Sequence, residues 1–215
     1  MLKYKGELTE AVVEQARQGR VRSVDSSKST LTPAVARRVV PELLGAGCSL
    51  LGLDFRFVDV NSTWAVKFGK APVCSKVLRK LCLSECRLRG PLPELRLPAL
   101  QVLSLAGNYL TGGLEPLKPL KALQELWLDS NDLTGGLEPL RDCTALRTLF
   151  LCHNKITGDL EPLRGCTSLE MLHLDHNQLI PTDEDLAHFK KQFSSTEDNV
   201  AHSERFTFLS EERPL

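Results

Sequence analysis

The sequence of 215 residues has no excess charge of either sign, since 27 lysines and arginines balance 27 aspartates and glutamates. Nucleic-acid and anionic-membrane binding normally use a strongly basic surface, so this balance argues against both. No apolar run approaches the ~20 residues that a membrane-spanning helix needs. Aromatic residues make up only 6% of the chain, so another residue type must build the core. We therefore expect a globular chain that neither binds nucleic acid nor inserts into a membrane.

The sequence also lacks the features of a secreted protein. Residues 1–7 contain no apolar segment of the kind found in secretory signals, and Glu7 and Glu10 are unusual in a transit peptide. The seven cysteines, an odd number at uneven spacing, do not form the pattern of a disulfide framework. We therefore expect a cytoplasmic protein, or one from another reducing intracellular compartment.

From Leu78 onward, one pattern of leucines recurs at a nearly constant period. Five copies share the spacing L-x-x-L-x-L-x-x-N/C-x-L. The segments between them also repeat, as T-G-G-L-E-P-L twice and T-G-D-L-E-P-L once. A period of about 22–23 residues indicates a solenoid of stacked units. The copies begin at Leu78, Leu100, Leu123, Leu146 and Leu169.

A single unit of this kind cannot fold alone. Burying its apolar side chains contributes roughly 10–20 kcal/mol, at about 1.5–3 kcal/mol each. Ordering the backbone of one unit costs more, at roughly 1–2 kcal/mol per residue. Burial is completed only when neighbouring units stack on each other. The x-Leu-x-Leu-x segments are then predicted to lie side by side in one parallel sheet on a concave surface.

The pattern resembles that of leucine-rich-repeat proteins, whose signature all five copies meet at every consensus position. The resemblance covers residues 78–180, about half of the chain. It implies an α/β solenoid: a right-handed superhelix with a parallel β-sheet on the concave face and helical caps at both ends. The Thr-Gly step after the Asn is similar to the plant-type subclass, whereas the repeat length is nearer to shorter cytosolic subclasses. The subclass stays open.

The repeats divide the chain into three predicted parts. Residues 1–49 are expected to form a helical cap or extension, and residues 181–215 a capping helix with a tail. The repeat domain between them, residues 50–180, has a degenerate repeat over residues 50–77 before the five clear ones. Two registers are possible for that repeat. In one, Phe55 corresponds to Leu78, at the same step as in the clear repeats; in the other, Leu50 and Leu53 begin a longer repeat.

Both ends carry signals for helices. Residues 7–18 are predicted to form a helix, and residues 23–32 a linker. Near the C-terminus, residues 182–185 match the capping-box pattern, which marks the start of a helix. One apolar stripe follows at helical spacing, formed by Leu186, Phe189 and Phe193.

One position of each repeat is interpreted as structural. Where the chain turns away from the sheet, an inward amide can satisfy buried backbone donors and acceptors together. In the first clear repeat a cysteine, a weaker hydrogen-bonding partner, replaces the asparagine. These residues are Asn108, Asn131, Asn154, Asn177 and Cys86.

The variable positions of each predicted strand face outward on the concave surface. In the central column Trp127, Phe150 and His173 are consecutive, so their rings are expected to form a contiguous strip. Exposed aromatic residues of this kind are favoured in protein interfaces. The alternative is that the chain's own tail, near residues 206–209, covers them. The remaining residues of the predicted binding surface are Glu125, Asp129, Thr148, Met171, His153, Asp175 and His176.

No motif for catalysis or for a cofactor is present. The sequence has no glycine-rich phosphate loop, no nucleophile elbow and no zinc-protease motif. His153, His176, Asp129, Asp175 and Cys152 are metal-ligand types that adjacent strands bring together. We interpret them as the polar rim of the strip and predict no metal site, with a zinc site as the alternative.

The resemblance implies a non-catalytic protein-interaction module. We expect a scaffold, an adaptor or an accessory subunit of a complex, which binds a protein partner through its concave sheet. The alternative is a structural subunit of a large assembly, held mainly through the N-terminal extension and the C-terminal tail. A metal protein or an enzyme has less support, and neither the partner nor the oligomeric state follows from the sequence.

Overall fold

Nine strands in the described part of the chain form one parallel sheet. The computed structural model describes residues 3–5, 10–25, 43, 50–57, 73–74, 76–194 and 206–207. In order across the sheet, the strands are β1 (Lys3–Lys5), β2 (Ser23–Asp25), β3 (Gly52–Asp54), β5 (Lys80–Cys82), β8 (Val102–Ser104), β10 (Glu125–Trp127), β12 (Thr148–Phe150), β14 (Met171–His173) and β16 (Phe206–Thr207). Parallel neighbours need a crossover for every strand, so the chain winds into a solenoid. The predicted fold class is confirmed.

A second parallel sheet is formed by the short strands that follow the concave strands in each turn. The three Thr-Gly steps end its central strands, and their glycines Gly112, Gly135 and Gly158 have φ of 77°, 82° and 90°. This left-handed conformation favours glycine and turns the chain toward a short 3-10 helix. Those helices are Glu115–Leu117, Glu138–Leu140 and Glu161–Leu163. The strands are β6 (Arg89–Pro91), β9 (Tyr109–Gly112), β11 (Asp132–Gly135), β13 (Lys155–Gly158) and β15 (Gln178–Leu179), while β4 (Val73–Cys74) pairs separately with β7 (Leu95–Arg96).

Leucines fill the space between the two sheets. Each central leucine of a concave strand pairs in register with the equivalent leucine of the next strand. The resulting column is continuous from turn to turn, which is the stacking that a single unit needs in order to bury its apolar face. Its members, all without exposed surface, are Leu81, Leu103, Leu126, Leu149 and Leu172.

A ladder of amides holds the chain where it leaves the concave sheet. Asn131 accepts a hydrogen bond at Oδ1 from the backbone N–H of Leu110, at 3.0 Å. Its Nδ2 donates to the carbonyls of Leu105 and Leu128, at 3.1 and 3.0 Å. One side chain thus satisfies donors and acceptors of two turns. The equivalent bonds recur at Asn108, Asn154 and Asn177.

Three buried thiols stand at positions where other repeats carry asparagine or leucine. Cys86, in the asparagine column, donates from Sγ to the carbonyl of Phe55 at 3.0 Å. Cys143 and Cys166 lie in the leucine core, and both are free. Burial raises the pKa of each of these two thiols to about 11. They therefore act as small apolar side chains and are poor nucleophiles.

The concave sheet extends further toward the N-terminus than the sequence predicted. β1 and β2 belong to this sheet, and Val24 of β2 pairs with Leu53 of β3. The predicted helix is present as α1 (Glu10–Arg17) between the two strands. Residues 23–25 are therefore a strand and not the start of a linker, because the fully buried Val24 extends the inward column. The rest of the predicted linker lies outside the described residues.

β3 fixes the register of the irregular repeat. Leu53 pairs with Leu81, so this repeat begins at Leu50 and is longer than the clear ones. The register that matched Phe55 to Leu78 is wrong. Phe55 follows Leu53 on the inward side and is fully buried, as the third inward residue of its own repeat. The register of a strand is set by which of its apolar residues point into the core. The length of the segment that connects it to the next strand does not determine it.

The C-terminal helix α2 (Asp183–Ser194) begins at the predicted capping box. The N–H of Asp185 donates to Oγ1 of Thr182 at 3.1 Å, and the N–H of Thr182 donates to Oδ2 of Asp185 at 3.0 Å. Phe189 and Phe193 of the predicted stripe are buried, whereas Leu186 is half-buried. Of the helices within the described ranges, none has the length and apolar character that membrane crossing requires.

The chain returns to the concave sheet after α2. β16 pairs with β14 in parallel, through Leu172 with Phe206 and His173 with Thr207. The described part of the tail is thus an edge strand and does not lie across the concave surface. Residues 208–209, the rest of the segment predicted to cover that surface, lie outside the described residues.

Candidate functional site

Three aromatic side chains stand at the ends of neighbouring concave strands. Trp127, Phe150 and His173 pair in register across β10, β12 and β14. Their ring centroids are 4.3 Å apart from Trp127 to Phe150 and 4.3 Å from Phe150 to His173. All three are half-buried, since each ring covers part of the next. We call these residues the aromatic strip.

A mixed column borders the aromatic strip on one side. Glu125, Thr148 and Met171 pair in register two positions earlier on the same strands. Nε1 of Trp127 donates to Oε2 of Glu125 at 3.4 Å, which ties the indole to this border. Met171 is 37% exposed, so this border also offers apolar surface.

Acidic and imidazole side chains border the aromatic strip on the other side. Asp129 and Asp175 are half-buried there, and His153 and His176 are exposed. Burial raises the pKa of Asp129, against the opposing effects of its own backbone hydrogen bond and of His153. This border is therefore a partly desolvated acidic surface, where a cationic group of a ligand would be attracted more strongly than in water.

Three of the five predicted metal-ligand types come together on this border. One ligand atom from each of His153, Asp175 and His176 lies within 4.8 Å of the others. The two imidazole rings are stacked, with centroids 4.1 Å apart and an interplanar angle of 11°. Cys152 is half-buried, and burial raises the pKa of its thiol to about 11. A thiol that ionises so poorly is a weak nucleophile.

The aromatic strip lies in a concave depression with a volume of about 580 Å³. Toward the N-terminal end the central column changes from aromatic to small side chains, because Ser104 stands where Trp127 stands one turn later. The hydroxyl oxygens of Ser104 and Ser84 are 2.6 Å apart. Cys82, the next member of the central column, is only 4% exposed. The contiguous row of rings therefore lies in the C-terminal half of the depression.

The lining extends beyond the predicted binding surface toward the N-terminus. Arg56 and Phe57 follow β3 and enclose the N-terminal end of the depression. Arg56 donates to both carboxylate oxygens of Asp54, each at 3.0 Å, and Phe57 is 61% exposed. The repeat register that begins at Leu50 contained the signal, since it places both residues just after a concave strand.

A family model supports the repeat assignment directly. The model described as leucine-rich repeats in two copies matches residues 144–191. No curated protein sequence is significantly similar to the chain.

Solved structures support the same fold along most of the chain. The ectodomain of the receptor kinase GASSHO1/SCHENGEN3 from Arabidopsis thaliana, in complex with CASPARIAN STRIP INTEGRITY FACTOR 2, is similar over 81% of the chain, with 23% identity and a TM-score of 0.61. The Arabidopsis receptor kinase HAESA, in complex with the peptide hormone IDA and the co-receptor SERK1, is similar over 86%, with 24% identity and a TM-score of 0.62. A leucine-rich-repeat protein of Leptospira interrogans is similar over 88%, with 18% identity and a TM-score of 0.57.

These similarities establish the leucine-rich-repeat fold, and their low identity carries no function with it. The chain spans 20%, 30% and 52% of the three solved chains. All three are larger proteins, so what each of them binds is a property of the larger protein.

Proposed function

We propose that this leucine-rich-repeat protein is a non-catalytic binding module, which holds an extended segment of a protein partner in its concave depression. The aromatic strip carries this proposal. It is a contiguous row of rings that lines the depression, and it lies in the C-terminal half of the sheet. The occupant to which we commit is a peptide segment with an apolar residue flanked by lysine or arginine.

The apolar part of the proposed segment follows from the packing of the rings. Trp127 and Phe150 are half-buried and firmly placed by the strand register, so little side-chain entropy remains to be lost on binding. Rigid aromatic residues of this kind supply much of the binding energy at protein interfaces. An apolar side chain laid against the two rings would remove their remaining exposed surface from water.

The basic part of the proposed segment follows from the charges on both sides of the aromatic strip. Glu125 borders one side, and Asp129 and Asp175 border the other. Among the described residues that line the depression, Arg56 and Lys80 are the lysine and arginine side chains, and both stand at its N-terminal end, away from these carboxylates. A lysine or arginine on either side of the apolar residue would therefore find a carboxylate partner.

One of the structural neighbours supports a peptide as the class of ligand. The HAESA structure contains the peptide hormone IDA. It illustrates that a leucine-rich-repeat protein can bind a peptide. It does not identify the partner of this chain.

Within this function we propose the role of an adaptor or accessory subunit in a reducing compartment. The buried free thiols Cys143 and Cys166 support that location, because they serve as core side chains in their reduced form. The alternative role as a structural subunit held by its tail has less support. Phe206 and Thr207, in the part of the tail that is described, already pair with β14 within the chain.

A peptide-display selection on the full chain tests the proposed function. We expect enrichment of peptides with an apolar residue flanked by lysine or arginine. Trp127→Ala should weaken binding of a selected peptide by about 30-fold or more, equivalent to about 2 kcal/mol or more, as at other interface hot spots. Calorimetry on the purified variants measures the dissociation constants.

The matched control is Tyr109→Ala. Tyr109 is an exposed aromatic residue of the second sheet, 48% exposed and lying against Arg89. Its substitution should leave peptide affinity within about twofold. Equal affinity of the wild type and the Trp127→Ala variant for the selected peptides would contradict the proposed function.

A further inference from the structure

We propose that His153, Asp175 and His176 form a binding site for Zn²⁺ at the rim of the concave surface. This inference reverses the sequence-based expectation of a plain polar rim. It concerns side chains beside the aromatic strip and shares Asp175 with the proposed peptide contacts, so the ion is titrated in the absence of peptide. Its basis is the convergence of the three ligand atoms within 4.8 Å of one another.

The chemistry of the three side chains matches the ion. Imidazole nitrogen and carboxylate oxygen are common ligands of Zn²⁺, and two imidazoles with one carboxylate is a ligand set found in zinc proteins. Three protein ligands leave the fourth tetrahedral position open for water or for a group of a bound partner. Calcium and magnesium prefer an all-oxygen set, so the two imidazoles argue against them.

The backbone holds the two histidines at a fixed spacing. His153 and His176 occupy equivalent positions of consecutive turns, and both have φ of 54°. The N–H of His153 donates to the carbonyl of Asp175 at 3.1 Å, and the N–H of Asn154 donates to the carbonyl of His176 at 3.2 Å. Nδ2 of Asn177 also donates to the carbonyl of Asp175, at 3.3 Å. The ligand residues are thus anchored to each other before any ion binds, which is the preorganisation that a metal site needs.

Small side-chain rotations complete the site. A tetrahedral Zn²⁺ with bonds of about 2.1 Å requires ligand atoms about 3.4 Å apart. Nε2 of His176 and Oδ2 of Asp175 are already 3.8 Å apart. Both histidines are exposed, so their rings can turn toward each other without displacing the core.

The site is confined to the last two clear repeats. One turn earlier Ser130 takes the position of His153, and before it Gly107 takes the same position. Neither offers an imidazole, so the two histidines can form one site only. We therefore expect a stoichiometry of one ion per chain at this rim.

Calorimetric titration of the full chain with zinc chloride tests the inference. We expect one saturable site, and visible absorption bands of tetrahedral Co²⁺ when cobalt chloride replaces zinc. His153→Gln and His176→Gln should each weaken Zn²⁺ binding by at least about tenfold, because loss of a direct ligand costs no less than loss of an outer-shell partner. Asp175→Asn should also weaken it.

Two control variants separate this site from other zinc-binding groups. His188→Gln removes an imidazole of α2, and Cys152→Ser removes the thiol next to the site; both should bind Zn²⁺ as the wild type does. The circular dichroism spectrum serves as a folding check on every variant. Absence of saturable binding by the wild type would overturn the inference. Equal Zn²⁺ affinity of a His153→Gln, His176→Gln double variant would overturn it as well, and so would loss of binding in Cys152→Ser alone.

Discussion

At the scale of single residues, the asparagine ladder is what allows one turn to follow another. Each amide replaces backbone partners that the chain loses when it leaves the sheet, and it connects two turns at once. A buried backbone group left without a partner costs about 1–3 kcal/mol. The ladder therefore makes a large contribution to stability although it buries little apolar surface.

Asn131→Ala should lower the free energy of unfolding by about 1–3 kcal/mol, because it leaves the N–H of Leu110 without this acceptor. The carbonyls of Leu105 and Leu128 each lose one donor but keep another, from Asn108 and Asn154. Urea denaturation followed by circular dichroism measures the change. The matched variant Asn177→Ala should cost less, because Asn177 is half-buried and water can replace some of its bonds. Equal losses in the two variants would show that solvent access does not set the cost.

The same residues show what single positions could and could not predict. The asparagine column was visible in the sequence, because its spacing to the leucines never changes. The left-handed backbone conformation of the residue before each asparagine was not visible in the sequence. Its φ is 64° at Gly107 and 55° at Ser130, and only the glycine was a signal. A serine or a histidine at that position gives no sequence sign of the conformation that sets the two metal-ligand candidates side by side.

At the scale of elements, one buried carboxylate connects α2 to the preceding turn. Asp185 is fully buried, and its Oδ1 accepts from Nε of Arg164 at 2.8 Å. Its Oδ2 accepts from the N–H of Thr182 at 3.0 Å and from that of Leu160 at 3.4 Å. Burial raises the pKa of this carboxyl, but the hydrogen bonds from Thr182 and Arg164 outweigh it, and the net pKa is lowered from 3.8.

Asp185→Ala should lower the free energy of unfolding by about 2–4 kcal/mol near neutral pH, because it removes a helix cap and leaves Arg164 without this partner. A carboxyl group whose pKa is lower in the folded than in the unfolded state stabilises the fold. This stabilisation is complete at pH values above the pKa of the unfolded state. It is lost as the pH falls through the pKa of the folded state. The difference between the wild type and the variant should therefore shrink as the pH is lowered below 3.8, the ordinary value of the group.

Urea denaturation at about pH 7 and about pH 3 measures both effects. Asp183→Ala is the control, since Asp183 is an exposed residue of the same first helical turn. It should change stability by less than about 0.5 kcal/mol. A difference for Asp185→Ala that stays constant between the two pH values would contradict the role of the ionised carboxylate.

Elements with a strong periodic signal were predictable, and those with a very short signal were not. α2 has a capping box and an apolar stripe, and both are present as expected. β2 has one inward residue, Val24, between two polar residues. The strand propensity of three such residues does not distinguish a strand from a linker. Its strand conformation comes from pairing with β3, which is a tertiary effect.

At the scale of the whole molecule, stacking converts a sequence period into a surface. Equivalent residues of consecutive turns lie in register, so a column of the sequence becomes a row of neighbours across the concave sheet. The positions of Trp127, Phe150 and His173 could be predicted for this reason. The part of the depression formed by Arg56 and Phe57 could not, because the irregular repeat breaks the period on which the prediction depended.

The degree of exposure along the concave surface could not be predicted from the sequence. The rings of the aromatic strip are half-buried by each other, with centroids 4.3 Å apart. Each such pair contributes about 0.5–1.5 kcal/mol to stability. The strip is thus part of the fold as well as the proposed contact surface, and Trp127→Ala should cost about 1 kcal/mol of stability without unfolding the chain.

The fluorescence of Trp127 during titration with a display-selected peptide tests the central claim most directly. The chain has two tryptophans, so Trp64→Phe leaves Trp127 as the single reporter. If the segment covers the aromatic strip, the emission of Trp127 shifts to shorter wavelength and saturates at the dissociation constant found by calorimetry. Calorimetric binding with an unchanged emission spectrum would contradict the claim that the partner is held at the aromatic strip.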